Sequence, residues 1–340
     1  MHSPILGFAL VFIAAVAGGG LAVPLNRRRK FELENIYIPC TIVMMLILPF
    51  VMAAFVMPNW LAAIHAAGAG AVWKGMAYGF GWGIGSILFG YGVTMAGMSV
   101  GFATIMGINT AVGSFLPFLV KSPADMLTYG GRVILIGIAG CVAGVVVCGR
   151  GGFLRENQAK ASGQSRGIGR ALVVCVASGL LSACANLGFA FTSRVGEEAQ
   201  RLGTSPVFST LGSWLPVFWG ATISLLLWFG GLQIKRGTWR NNVGPDAVYD
   251  WLNGGLMGVI WFVATIPYGM GAYYLGRLGT SVGWAVYMAF TLLVANIFGF
   301  IGKEWTGAPA RARRTLYAGL SVLILAIVVL AIGNSMMTGH

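Results

Sequence analysis

The sequence predicts an all-α polytopic membrane protein, with ten transmembrane helices arranged as two inverted five-helix repeats. Three observations lead to this prediction. Only 9% of the 340 residues are charged and 57% are hydrophobic, whereas about 25% of the residues of an average soluble protein are charged. The hydrophobic residues form ten stretches long enough to cross a bilayer. Short segments of the first half of the chain also recur in the second half.

Each apolar stretch contains about 20 residues, the number that a helix needs to cross a hydrocarbon core about 30 Å thick. The stretches are apolar on every face, which excludes the alternating pattern of a membrane β-barrel. In chain order, the predicted spans are residues 4–25, 36–57, 73–94, 99–120, 131–149, 169–191, 207–234, 250–271, 280–302 and 316–335. The first stretch has no basic residues ahead of it, so we interpret it as a retained span and not as a signal peptide.

The basic residues predict the orientation of these spans. Loops after odd-numbered spans contain sixteen Lys and Arg residues, and loops after even-numbered spans contain six. Lys and Arg accumulate in cytoplasmic loops, so the odd-numbered loops are predicted to be cytoplasmic and both termini to lie outside. Because the net charge of +13 is spread over short loops and not gathered on one folded face, we expect no nucleic-acid partner.

An internal repeat divides the chain into residues 1–150, a basic cytoplasmic linker at 151–168, and residues 169–340. The offset that places Gly97 on Gly279 matches seven positions around the fourth and ninth spans: Tyr91 with Tyr273, Gly97 with Gly279, Ser99 with Ser281, Val100 with Val282, Gly101 with Gly283, Phe118 with Phe300, and Lys121 with Lys303. Five spans per half invert the second half relative to the first. Inverted repeats are typical of transporters, whose substrate site lies near the midplane where the halves meet.

The small residues of the spans indicate packing and not a cofactor site. Glycines recur at four-residue spacing, which lets helix backbones approach closely in lipid. The glycine-rich run 81–85 lacks the preceding strand and the acidic residue of a dinucleotide site. The five cysteines fall inside predicted spans without zinc or haem spacing. We therefore expect neither a cofactor nor a metal.

Three groups of residues resemble the L-rhamnose-proton symporter family: the Gly18-Gly19-Gly20 to Pro24 approach into Arg27-Arg28-Arg29-Lys30; Trp82-Gly83-Ile84-Gly85 continued by Tyr91-Gly92-Val93-Thr94 and Gly97-Met98-Ser99; and Lys303-Glu304-Trp305. The resemblance extends over essentially the whole chain in length, span count and order. It implies a member of the drug/metabolite transporter superfamily, with ten helices in two inverted halves and alternating access. The implied function is uptake of a sugar with H⁺ across a bacterial inner membrane. Both termini would then be periplasmic. Between residues 271 and 290 the chain departs from the more polar stretch of rhamnose transporters, which leaves the exact sugar open.

A neutral sugar requires amide or hydroxyl partners and aromatic rings inside a mostly apolar cavity. Six residues of these types lie well inside the predicted spans, counted in residues from the span ends, and are the candidates: Trp82, Asn109, Asn186, Trp261, Tyr287 and Asn296. We predict that Trp82, Asn109, Trp261 and Asn296 line one central cavity, with Asn186 and Tyr287 at its wall. The alternative is that the amides form hydrogen bonds between helices and the tryptophans only pack.

Proton symport requires a group that changes its protonation state during the transport cycle. No acidic residue lies deep in any predicted span. Asp250 opens the eighth span and Glu304 closes the ninth, so these two are the candidate proton-coupling residues; the alternative is that both are solvated charges at helix ends.

Two other classes of function are less compatible with the sequence. Export of another small solute, such as a cationic drug, would favour a buried counter-charge, and no acidic residue lies deep in any predicted span. A membrane enzyme would need a reactive set of residues, but the sequence contains neither an HExxH motif nor a phosphate-binding Gly-Lys-Ser/Thr loop.

Overall fold

In the computed structural model, which describes residues 3–20, 24, 27–159, 168–303 and 305–338, every regular element of the described chain is helical. The helices are α1 Pro4–Gly19, α2 Leu33–Val56, α3 Trp60–Ala67, α4 Ala69–Ala96, α5 Met98–Lys121, α6 Tyr129–Ala159, α7 Ile168–Phe191, α8 Arg194–Arg201, α9 Pro206–Arg236, α10 Pro245–Tyr274, α11 Gly279–Ile301 and α12 Ala310–Thr338. Helix α2 contains a π-helical turn at Val43–Ile47. This architecture confirms the all-helical prediction.

Eight helical segments of the described chain are long and apolar enough to cross a membrane. They comprise α2, α5, α6, α7 with α8, and α9 to α12. Helix α1 is shorter, with 16 residues, and the 28-residue α4 is rich in glycine, which lowers its hydropathy. The protein is therefore a multi-pass membrane protein. Each of the ten predicted spans overlaps a helix, and α6 continues to Ala159, well into the predicted linker.

The helix ends define two opposite faces of the bundle. We call one the terminal face, because the start of α1 and the end of α12 lie there; on it, Arg277 forms an ion pair with Asp125 at 2.8 Å. We call the other the basic face, because it contains the basic loops; on it, the Lys30 Nζ donates to the Val243 carbonyl at 2.8 Å. Both contacts join residues of the first half of the chain to residues of the second half.

Close helix crossings depend on glycine, and the same crossing occurs twice in the molecule. A Cβ atom at Gly79 would lie 1.9 Å from the Val217 carbonyl oxygen, where α4 crosses α9. A Cβ atom at Gly258 would lie 2.7 Å from the Cys40 carbonyl oxygen, where α10 crosses α2. At both crossings a second glycine one turn earlier, Gly75 or Gly254, lies against a proline. Backbones at this separation leave no room for a side chain.

The α4–α9 crossing gives a prediction on stability. A Cβ atom at Gly220 would lie 1.9 Å from the Met76 carbonyl oxygen, so Gly220→Ala must push two backbones apart. We expect a loss of about 1–3 kcal/mol, the usual cost of overpacking, seen as a lower unfolding temperature of the purified protein. Gly230→Ala on the same helix is the control, because nothing lies within 4 Å of its Cβ position. Equal shifts in the two variants would contradict the close crossing.

Candidate functional site

A central cavity of about 240 Å³ lies between α1, α4, α5, α7, α9, α10 and α11. Its aromatic lining residues are Trp82, Phe89, Trp214, Trp261, Tyr268, Trp284 and Tyr287. Its other polar residues are Asn109, Ser182, Thr265 and Thr291, and the remainder are Gly18, Ile105, Met106, Ala185, Ala264 and Met288. None of these lining residues is charged. A small cavity with aromatic walls and a few hydroxyl and amide groups suits a small neutral ligand.

Four of the six predicted site residues meet in this cavity: Trp82, Asn109, Trp261 and Tyr287. The rings of Trp82 and Trp261 form an edge-to-face pair, with their centroids 5.9 Å apart. Each tryptophan is followed one turn later by a hydroxyl residue that donates to its carbonyl oxygen, Ser86 in α4 and Thr265 in α10. The same local hydrogen bond therefore follows both tryptophans.

Asn109 is only 7% exposed, and its amide oxygen has no hydrogen-bond partner among the described residues. The amide nitrogen lies 3.7 Å from the Met288 sulfur, which is a weak acceptor. The indole N–H of Trp214, another lining residue, is also buried without an acceptor in the described chain. An unsatisfied buried polar group costs about 1–3 kcal/mol. A ligand that supplies a hydroxyl to each group would remove that cost.

Asn186 is fully buried and lies behind the cavity, since it is not among the lining residues. Its amide nitrogen donates to the carbonyl oxygens of Gly113, at 2.7 Å, and Thr280, at 2.9 Å. Its amide oxygen accepts a hydrogen bond from the Tyr268 hydroxyl. Asn186 thus joins α7, α5 and α11, and it fixes a tyrosine that does line the cavity.

Asn296 lies away from the central cavity. It lines a separate crevice of about 200 Å³ near the basic face, together with Arg155 and Trp305. Its amide nitrogen donates to the Leu292 carbonyl oxygen of its own helix, at 2.8 Å. The structure therefore does not bring Asn296 together with Asn109.

Asp250 is fully buried at the basic face. Its two carboxylate oxygens accept backbone N–H groups from Arg29, Lys30 and Phe31, at 2.8, 2.7 and 2.8 Å. The carboxylate thus ties the segment that precedes α2 to the start of α10. Glu304, the other candidate for proton coupling, lies outside the described residues.

A model of the L-rhamnose-proton symport protein family matches residues 2–336 of the chain. The chain belongs to this family. Similar relatives include the L-rhamnose-proton symporters of Escherichia coli O45:K1 (strain S88 / ExPEC), Shigella boydii serotype 18 and Shigella dysenteriae serotype 1. Each is 27% identical over 335 residues, which cover 96% of this chain and 97% of the relative. The match confirms the resemblance that the sequence indicated, and it identifies a transporter family and not an enzyme family.

In this symporter family member, several lining residues were missed by the sequence analysis, among them Trp214, Tyr268 and Trp284. A signal for two of them exists in the spacing of aromatic residues along the sequence. Phe89 and Tyr268 are separated by the same number of residues as Trp82 and Trp261. Phe102 and Trp284 are separated by the same number of residues as Gly97 and Gly279. The Tyr268 and Trp284 rings meet edge to face at 5.2 Å, and the Phe89 and Phe102 rings do so at 5.9 Å.

The side of the cavity toward the terminal face is closed by aromatic rings. Phe189 stacks on Trp214 with centroids 4.8 Å apart, and Tyr268 packs against both rings. Beyond Phe189 lies a second cavity of about 210 Å³, which is polar and contains Lys121 and Arg277. The aromatic layer therefore separates the central cavity from a polar vestibule at the terminal face.

The cysteines of the chain form no disulfide bond. All five are free thiols, and four of them are buried. No group of three His, Cys, Asp or Glu side chains that could hold a metal ion occurs among the described residues.

Proposed function

We propose that this protein takes up L-rhamnose, or a closely related monosaccharide, together with protons by alternating access. The observation that carries the proposal is the buried, unpartnered amide oxygen of Asn109 in an uncharged cavity lined by aromatic residues. Sugar hydroxyls suit that oxygen and the Trp214 N–H, and the paired Trp82 and Trp261 rings offer faces for the ring C–H groups. The names of the family and of the relatives indicate the sugar and the proton.

The helix contacts support two repeats of five helices, in which α1, α2, α4, α5 and α6 correspond to α7, α9, α10, α11 and α12. Helix α4 packs on α7 and α9, and its counterpart α10 packs on α1 and α2. Helix α5 packs on α7, and α11 packs on α1. An odd number of crossings per repeat requires that the second repeat is inverted, so the two-fold axis lies in the membrane plane and passes through the central cavity.

Alternating access requires one gate on each side of the substrate, and inverted repeats supply gates in related pairs. The edge-to-face pair Tyr268–Trp284 is the proposed gate toward the terminal face. The related pair Phe89–Phe102 is the proposed gate toward the basic face. The first pair is backed by Phe189 and Trp214, which supports a closed gate toward the terminal face.

The proposed orientation places the basic face in the cytoplasm and both termini in the periplasm of a bacterial inner membrane. Its support is the excess of basic residues in the loops of that face. Reporter fusions after Arg29 and after Gly339 should therefore report opposite compartments, with the first cytoplasmic and the second periplasmic. A cytoplasmic C-terminus would contradict the orientation.

Proton coupling is proposed at Asp250, with Glu304 as a second candidate on sequence grounds alone. Protonation of Asp250 would remove the negative charge that strengthens its three bonds to the 29–31 segment. Those bonds join the two repeats at the basic face. Proton binding would thus weaken the contacts between the repeats at the basic face more than those at the terminal face. Coupled transport needs such a difference between the two faces.

Uptake of labelled L-rhamnose by proteoliposomes tests the proposal. With an alkaline interior, we expect the sugar to accumulate above its external concentration, and we expect a protonophore to abolish the accumulation. Empty liposomes give the background, and Trp82→Leu tests whether transport depends on the central cavity. The proposal would be overturned if uptake is not saturable, or if accumulation does not depend on the pH gradient. Export of organic cations is less favoured, because none of the lining residues is a carboxylate that could balance a buried cation.

A further inference from the structure

Related positions of the two repeats line the central cavity, but some of these positions have different side chains in the two repeats. Three apolar lining residues of the first repeat, Phe89, Ile105 and Met106, have counterparts in the second repeat. Phe89 and its counterpart are separated by the same number of residues as Trp82 and Trp261. The other two pairs are separated by the same number of residues as Gly97 and Gly279. The counterparts are Tyr268, Tyr287 and Met288, which also line the cavity. We call the first set the apolar patch and the second set the tyrosine patch. At two of the three related positions, the tyrosine patch has a hydroxyl group where the apolar patch has only hydrocarbon.

The two patches lie toward opposite faces of the membrane bundle. Phe89 lies near the basic-face end of α4, and Ile105 and Met106 lie within about two turns of the start of α5. Tyr268 lies near the terminal-face end of α10, and Tyr287 lies about two turns from the start of α11. On its basic-face side, a ligand in the cavity thus meets only hydrocarbon and a thioether from the three side chains of the apolar patch.

L-rhamnose is a 6-deoxyhexose, so one edge of the sugar ends in a methyl group and the other ring positions have oxygen atoms. We infer that the apolar patch is a specificity subsite that holds this methyl edge and disfavours a hexose with a hydroxyl group at C6. This inference rests on the proposed function and deepens it. A C6 hydroxyl against Phe89, Ile105 and Met106 would lose its bonds to water without gaining a partner from those side chains. The discrimination has a ceiling of about a hundredfold, because an apolar pocket cannot strongly reject a ligand that merely adds a hydroxyl group.

The test compares L-rhamnose with L-mannose, its 6-hydroxy counterpart, on the purified full chain. Four tryptophans line the cavity, so quenching of tryptophan fluorescence is a suitable probe of binding. For the unaltered protein, we expect L-mannose to bind about tenfold more weakly, as the loss of one hydrogen bond worth about 1.4 kcal/mol implies. Met106→Gln places an amide in the apolar patch at nearly constant length. We expect it to reduce the ratio of the two dissociation constants to about threefold or less.

The related methionine supplies a matched control. Met288→Gln introduces the same amide in the tyrosine patch, beside Asn109. It is expected to leave the ratio of the two dissociation constants near its original value, whatever it does to the two affinities themselves. Phe89→Tyr is a second variant for the case in which Met106→Gln does not fold. It adds a hydroxyl group to the apolar patch, as the counterpart Tyr268 has, and it should also lower the ratio.

The possible outcomes distinguish failure of the proposed subsite from failure of the proposed function. Equal affinity of the unaltered protein for the two sugars would overturn the subsite and leave sugar binding intact. Equal changes of the ratio in Met106→Gln and Met288→Gln would also overturn the subsite. Failure of the unaltered protein to bind either sugar would overturn the proposed function, and the subsite with it.

Discussion

Replacement of Asp250 by alanine is expected to destabilise the protein more than any other single change to an acidic residue of the described chain. Its carboxylate accepts three backbone N–H groups, from Arg29, Lys30 and Phe31, and the residue is fully buried. Alanine would leave these donors without an acceptor, and each unsatisfied donor that stays buried costs about 1–3 kcal/mol. We expect a loss of about 3 kcal/mol or more, measured as a lower unfolding temperature and a lower yield of folded protein.

Glu198→Ala is the matched control for this prediction. Glu198 forms an ion pair with Arg201 one turn away, and the Arg201 side chain is largely exposed. Such surface pairs contribute about 0–1 kcal/mol, so the unfolding temperature should change little. If Asp250→Ala and Glu198→Ala are equally stable, the carboxylate does not hold the 29–31 segment as described.

Asn109→Leu is expected to weaken binding of L-rhamnose by about tenfold or more and to leave the fold intact. The physical reason is that the Asn109 amide oxygen has no partner among the described residues, so its removal breaks no bond there. A sugar hydroxyl on this oxygen would provide a hydrogen bond worth about 1.4 kcal/mol, which corresponds to a tenfold change in affinity. Tryptophan fluorescence gives the affinity, and thermal unfolding gives the stability.

Asn186→Leu is the contrasting variant, because its amide makes three hydrogen bonds and does not line the cavity. It should lower the unfolding temperature markedly, since it leaves the carbonyl oxygens of Gly113 and Thr280 and the Tyr268 hydroxyl without this partner. If instead Asn109→Leu loses stability and keeps its affinity, then Asn109 joins helices and does not bind the ligand.

These two asparagines also show how far the sequence alone could go. Hydropathy predicted the helices well, because burial in lipid requires long apolar runs, and each predicted span overlaps a helix. Counting residues inward then gave the depth of the candidate amides, and depth was enough to select Asn109. Depth does not give the direction in which a side chain points. Asn186 has a similar depth, but its amide points to two carbonyl oxygens of neighbouring helices.

Asn296 illustrates the same point through helix geometry. It follows the lining residue Thr291 by five positions. Five residues turn an α-helix by about 140° beyond one full turn, so the two side chains leave α11 in different directions. Met106 and Asn109 are three positions apart, which keeps both on the cavity side of α5. The bonds of Asp250 depend on the path of a loop, which no periodicity predicts.

A structure determined with L-rhamnose would show where the sugar binds. We expect one sugar molecule in the central cavity, with a hydroxyl group within hydrogen-bond distance of the Asn109 amide oxygen. We also expect the sugar ring to lie against Trp82 or Trp261, and the C6 methyl group to point toward Met106. A sugar bound instead in the vestibule beside Lys121 and Arg277, or in the crevice beside Asn296, with the central cavity empty, would contradict the proposed binding site.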